Sequence, residues 1–176
     1  MKKVITLFSA ISFVLVNLTV SFAQQPALSV EQDKAAIKKT LDDAARAIMD
    51  FPRTRDIEGN LRFYAEEFFE IRDGKLETRA DVRQYLGMIL EDMRLGKTPV
   101  FSVQYSNISI NANGSLAWAS YDMALKYGAA GTLTTALDKK CTSIFRRSGS
   151  GWLFVHDHCS TVKAPHSLTP RMDNNL

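Results

Sequence analysis

The chain has 176 residues, of which 45% are hydrophobic and 23% charged, with a formal net charge of +3; that length suggests one domain. No basic stripe is interleaved with aromatic residues, which excludes a nucleic-acid footprint. There is also no phosphate loop, no Gly-rich dinucleotide turn, no Cys-x-x-Cys and no His-Glu-x-x-His, which excludes the motif-borne nucleotide and metal chemistries.

The first stretch is an address and not fold material. Lys2 and Lys3 precede an apolar run from Val4 to Val20, closed by the small-x-small pattern Ser21-Phe22-Ala23. This is the layout of a secretory signal peptide, residues 1–23, cut after Ala23. The run is marginally short for a span and is broken by Asn17 and Thr19, so no membrane anchor is expected after cleavage. Removal of the two lysines leaves 20 basic and 19 acidic side chains, so the pI near 8.9 is partly a property of the leader. The expected location is periplasmic or secreted, where disulfides are permitted.

Residues 24–28 form a short polar leader. Ser29-Val-Glu-Gln32 has the spacing of a capping box, and Ile37, Leu41, Ala44, Ala45 and Ile48 follow at helical steps. This predicts an amphipathic helix closed at Phe51-Pro52. A shorter helix is expected within 56–65, with Leu61 and Tyr64 on one side. Glu67 to Arg72 reads as a brief strand before an Asp73-Gly74 turn. Thr78 then caps a second long helix, whose stripe is Val82, Tyr85, Leu86, Ile89, Leu90 and Met93 and whose stop is Gly96.

From Pro99 the period changes to two. Strands are expected over Val100–Ile110, Leu116–Tyr127, Leu133–Arg147 and Trp152–Val162, with turns at Asn113-Gly114, Gly128–Gly131 and Gly149-Ser-Gly151. Helices followed by antiparallel strands give an α+β fold, a long curved sheet wrapped on two or three N-terminal helices and enclosing a pocket. The domain spans 29–164, and the tail, 165–176, reads as loose.

The last hairpin carries the densest set of chemical side chains. Its final strand is apolar on both faces by simple alternation: Trp152 and Phe154 on one, Leu153 and Val155 on the other. An antiparallel sheet usually leaves one face to water, so the outer face, with Trp152, Phe154, His156 and His158, is expected to be covered by a second copy of the chain. His156 and His158 stand about 7 Å apart on one face. Such a pair binds metal only with a third ligand; the plainer reading is hydrogen bonding across a sheet or an interface, and no metal or cofactor is assigned. Arg146-Arg147 reads as a solvated turn.

Asp157 shares a face with Leu153, Val155 and Cys159, and a carboxylate among apolar neighbours has a raised pKa that suits a general base. The alternative is an Asp paired or solvated near a strand end. Tyr64, Tyr121 and Tyr127 could donate to an enolate-like oxygen, or be core. Cys141 and Cys159 lie on the two arms of the hairpin with paired residue numbers summing near 300. A bond between them is possible but geometrically demanding; the alternative is two half-buried thiols.

The order of elements and the ending Gly151-Trp-Leu-Phe-Val-His-Asp-His-Cys-Ser160 resemble the SnoaL-like, nuclear transport factor 2-like superfamily. Within it the chain resembles most the association (hub) domain of calcium/calmodulin-dependent protein kinase II and its bacterial relatives. The resemblance implies a cone-shaped α+β fold with a deep cavity, and dimers or larger rings formed through the sheet. The positions of the hub's ligand-holding arginines correspond here to Met123, Ser143 and Cys159, which implies a more apolar pocket. Ketosteroid isomerases of the superfamily use an Asp soon after the short helix, where Arg72 and Asp73 stand here.

The resulting expectation is a homodimeric pocket protein taking a small, largely apolar ligand on Tyr64, Tyr121, Met123, Ser143, Val155, Asp157 and Cys159. The first alternative is a cofactor-independent isomerase or dehydratase with Asp157 as base and Tyr121 as catalytic partner. The second is a purely structural oligomerisation hub.

Overall fold

The computed structural model describes residues 29–129 and 131–162, together with the backbone of 166–167. The expected signal peptide and leader, and most of the expected tail, lie outside the described residues. Helix α1 spans Val30–Thr54 and opens with the capping box read from the sequence. The Ser29 amide donates to Gln32 Oε1 at 2.8 Å, and the Gln32 amide donates to Ser29 Oγ at 3.3 Å. The helix runs two residues past the expected stop at Pro52. Fully buried Phe51 anchors the last turn, and Arg55, at φ 55°, closes it by donating its amide to the Phe51 carbonyl at 2.8 Å.

Helix α2 is shorter than expected, Ile57–Leu61. Tyr64, expected on that helix, instead begins strand β1 (Tyr64–Arg72), where it pairs with Phe154. Sheet pairing overrides a weak local helix pattern here. Asp73 and Gly74 both have positive φ, 49° and 82°, which is the geometry of a tight two-residue hairpin. They lead into a strand absent from the sequence reading, β2 (Lys75–Thr78). Thr78 and Asp81 then form a capping box for α3 (Arg79–Arg94).

The remaining strands are β3 (Pro99–Asn113), β4 (Leu116–Ala129), β5 (Thr132–Ser148) and β6 (Gly151–Thr161), with β7 at His166–Ser167. The sheet order is β2-β1-β6-β5-β4-β3, and β7 pairs with β5. The expected all-antiparallel sheet is corrected at one place: β1 runs parallel to β6. After the β1–β2 hairpin the chain crosses through α3 to β3 at the far edge and returns strand by strand to β6, which pairs beside β1; no local pattern announces that pairing.

The curved sheet wraps on α1, and the main core lies between them, built on Ile37, Leu41, Phe68, Phe145, Trp152 and Phe154. A second cluster of Phe51, Leu86 and Ile89 ties α3 to the end of α1. Full burial of one such aromatic or aliphatic side chain contributes roughly 1.5–3 kcal/mol, so the wrapped sheet and α1 are mutually dependent.

One irregularity sets the faces of β6. Along the β5–β6 pair the register is Cys141↔Cys159, Ser143↔Asp157 and Ile144↔His156, and then shifts to Phe145↔Phe154. Val155 is the extra residue of a β-bulge. A one-residue insertion inverts the facing of everything beyond it. Trp152 and Phe154, expected on the outer face, are therefore buried in the core at 2% and 4% exposure, on the concave side with Asp157 and Cys159. Leu153, His156 and His158 are left on the convex side.

Arg147 is not a solvated turn residue either. It pairs with buried Asp33 at 2.5 Å and lies over the Trp152 ring at 4.5 Å, joining α1 to the hairpin. Arg146 pairs with Glu67.

Cys141 and Cys159 form a disulfide between directly opposed residues, with Cα atoms 4.2 Å apart. That is close to the roughly 4.5 Å of a non-hydrogen-bonded antiparallel pair, the one register position where opposed side chains come near enough. The sulfurs are buried in the main core. Closing an 18-residue separation is expected to contribute about 3 kcal/mol through the unfolded chain. A Cys141→Ala, Cys159→Ala double variant should therefore lose about 2–4 kcal/mol in urea unfolding; an unchanged midpoint would contradict this account of the bond.

Candidate functional site

The concave face between the disulfide and the aromatic core holds a chain of polar groups. Ser143 on β5 and Asp157 on β6 are register partners, and the Ser143 hydroxyl donates to Asp157 Oδ1 at 2.9 Å. On the neighbouring strand, the Tyr121 hydroxyl lies 2.8 Å from Ser143 Oγ. Since Ser143 spends its one proton on Asp157, Tyr121 is the donor to Ser143. The chain thus runs Tyr121 to Ser143 to Asp157, across three strands. The other carboxylate oxygen, Oδ2, sits 3.8 Å from Cys159 Sγ, but a disulfide sulfur has no proton to give.

The second arm comes from the parallel strand. Glu70 on β1 is the register partner of Asp157 and is buried. Arg72, two residues on and on the same face, grips Glu70 with Nε and Nη2, both at 2.7 Å, and reaches Glu77 at 3.4 Å. This bidentate pair strengthens the Arg72 proton affinity further. Tyr105 on β3 stands edge-on to Tyr121 with ring centroids 5.0 Å apart. Tyr64 on β1 packs against Phe68 and Phe154 at 4.6 and 5.5 Å.

Desolvation, followed by repulsion from Glu70, pushes the Asp157 carboxyl up to about 7, against the lowering effect of Ser143 and Arg72. The phenols of Tyr64, Tyr105 and Tyr121 are also pushed upward, first by burial. Asp157 adds to that upward push on each of the three. Tyr64, Tyr105, Met123 and Asp157 remain partly accessible although they belong to the concave side, so the face is not packed solid here. A cleft of about 420 Å³ opens between α1 and β3, lined by Asp42, Arg46, Met49 and Tyr105 among others. Tyr105 stands between this cleft and the Tyr121 end of the chain.

The model of the SnoaL-like domain matches residues 37–165. The chain belongs to this family. Among solved structures, a nuclear transport factor 2-like protein of unknown function from Pseudomonas putida KT2440 is 19% identical, with a TM-score of 0.56, covering 76% of this chain and 89% of that one. A candidate scytalone dehydratase from Novosphingobium aromaticivorans is 15% identical, with a TM-score of 0.61, covering 78% and 89%. A candidate calcium/calmodulin-dependent kinase II association domain from Exiguobacterium sibiricum is 10% identical, with a TM-score of 0.58, covering 74% and 94%. At these identities the likeness is one of fold. Among curated proteins no match is found.

Within this SnoaL-like domain the structure brings Tyr64, Tyr121, Met123, Ser143, Asp157 and Cys159 to the concave side. Val155 is the bulge residue and pairs with neither neighbouring strand. None of the seven expected ligand residues borders the 420 Å³ cleft. His156 and His158 do not join the site; His156 Nδ1 contacts the Phe69 carbonyl at 3.1 Å, and its ring lies 4.4 Å from that of Phe69. Tyr127 lies further along β4 and is exposed.

Glu70 and Tyr105 are members the sequence reading passed over. The Glu70-x-Arg72 spacing, which puts an acid and a base on one face of a strand, was the available signal. Asp73 does more than turn the chain. It accepts from the Thr161 amide at 2.6 Å and from buried Lys139 at 3.0 Å, which holds its carboxyl down at about 2. Ligand atoms of Glu70, Asp157 and Cys159 come within 4.8 Å of one another. The disulfide occupies the sulfur and Arg72 occupies Glu70, so the trio lacks three free donors for a metal.

Ser143 is fully buried. Replacing it by Ala strands the Tyr121 proton and removes the one side-chain bond that favours ionised Asp157. Ser143→Ala should cost about 1–3 kcal/mol and raise the Asp157 pKa further, both readable by urea unfolding and carboxyl NMR. A neutral effect on both would show that the chain does not couple these groups.

Proposed function

We propose that the protein is an exported, homodimeric SnoaL-like pocket protein that binds a small, largely apolar ligand on the concave face of its sheet. The observation that carries this reading is the Tyr121–Ser143–Asp157 chain. A core gains little from a buried polar network compared with a well-packed apolar one. Here such a network lies among aromatic side chains and keeps Asp157 partly accessible, which is the composition of a binding site, apolar walls with a few convergent polar groups. Export rests on the residue 1–23 pattern.

Dimer formation is supported by the convex face. Trp118, Ile144, His156 and Phe69 are successive register partners across β4, β5, β6 and β1. Trp118, Ile144 and Phe69 are 49%, 37% and 40% exposed, and Leu116 and Leu76 extend the apolar area. A second copy would cover this row. The fold likeness to a candidate kinase association domain is in keeping with self-assembly.

A second reading, proton-transfer catalysis without a cofactor, is favoured by one observation, the Asp157 carboxyl titrating near 7. A base poised near neutral pH can abstract a carbon-bound or hydroxyl proton, and Tyr121 is placed to pass a proton through Ser143. Fold likeness to a candidate scytalone dehydratase suits this chemistry. His156 and His158, on the opposite face, take no part.

Native mass spectrometry of protein recovered from its producing cell tests both halves. The expected spectrum is a dimer carrying a small organic adduct, converted to monomer by Trp118→Glu or Ile144→Glu with the adduct retained. A bare monomer in the wild-type protein would contradict the proposal.

A further inference from the structure

The charges around Asp157 define the head group of the ligand. From β1, Glu70 and Arg72 face Asp157; from β2, Glu77 shares Arg72; from β5 and β4 come Ser143 and Tyr121; from β3 comes Tyr105; and from α1, Asp42 acts on Tyr105. Arg72 is the cation of this group, and two carboxylates hold its guanidinium. The balance left around Asp157 is therefore negative whenever Asp157 is ionised.

The tyrosines carry the same imprint. Burial is the first cause that raises the phenols of Tyr64 and Tyr105, and Glu70 and Asp157 add to it, against Arg72 at Tyr64. Of the three concave-face phenols only Tyr121 is tied to Ser143, while Tyr64 and Tyr105 stay partly accessible. Asp157 Oδ2 faces a sulfur without a proton. Aromatic rings beside unneutralised carboxylate are the surroundings that stabilise an organic cation, through ring quadrupoles and direct ion pairing together. An anion would meet repulsion, and a neutral molecule would leave the Asp157 charge unpaired in a desolvated place.

We propose that the ligand of this concave site is a small organic ammonium ion with an aryl or alkyl body, its charged head on Asp157 and its body among Tyr64, Tyr105 and Tyr121. This rests on the concave-face reading given above and adds the charge of the ligand to it. Binding is linked to proton release. An ammonium pairs with the ionised carboxylate, so affinity rises as the pH passes upward through the Asp157 midpoint and falls when the carboxyl takes its proton back.

Calorimetric titration with benzylamine, benzyl alcohol and benzoate, which share a ring and differ in head charge, is the test. At about pH 8, benzylamine should bind at least ~10-fold more tightly than benzoate, and should lose about tenfold on going to about pH 6. Asp157→Asn should remove that pH dependence and about tenfold of the benzylamine affinity, while a cooperative urea unfolding transition shows that the variant is folded. Benzoate or benzyl alcohol binding as tightly as benzylamine would overturn the cation assignment and leave the site standing. An Asp157→Asn variant that binds benzylamine as the wild type does would overturn it as well. If none of the three binds, the concave site itself is refuted along with its ligand.

Discussion

The arrangement depends on how β5 and β6 pair. Two same-face register pairs, Cys141 with Cys159 and Ser143 with Asp157, are followed at once by the Val155 bulge. The disulfide fixes the separation of the two strands beside the site, and the bulge lets Trp152 and Phe154 turn into the same concave space. Without the inserted residue, period-two alternation would put either the aromatic pair or the carboxyl into the convex face. A polar chain set against an aromatic core, in a strand only 11 residues long, is the direct product of that single irregularity.

The parallel strand adds electrostatics to this geometry. Glu70 opposite Asp157 would be an unfavourable neighbour in water and is more so in a desolvated place. Arg72 relieves the strain for Glu70 and leaves Asp157 to respond by holding its proton to near neutral pH. The two carboxyls are thereby made unlike: Glu70 is held in a bidentate ion pair, and Asp157 is pushed up by its burial. The hydroxyl of Ser143, itself held by Tyr121, then gives the titrating group a defined donor on one oxygen, while the other faces the disulfide sulfur, which has no proton to donate.

Much of this was legible in the residues themselves. The Ser29 capping box, the Thr78 cap, the long amphipathic helices, the strand turns and the residue-number sum of 300 for Cys141 and Cys159 follow from local rules that the structure obeys. Ser143 and Asp157 share that sum, so their meeting was implicit as well. Trp152 and Phe154 were placed on the wrong side because a bulge carries no sequence mark when the inserted residue, Val155, is itself a good strand former. Glu70 went unnoticed because its partner lies 87 residues away along the chain on a parallel strand, a pairing that only the tertiary fold creates. Arg147 was read as surface because Asp33 and Trp152, which hold it, come from the far end of the domain and from across the turn.

The central claim is that a carboxyl on the concave face keeps its proton close to neutral pH because burial and Glu70 oppose its charge. Carbon-13 NMR of the side-chain carboxyl of Asp157, followed from acid to mildly alkaline pH, measures this without any ligand. The account predicts a titration midpoint near 7. A midpoint at the ordinary aspartate value of about 4 would contradict it.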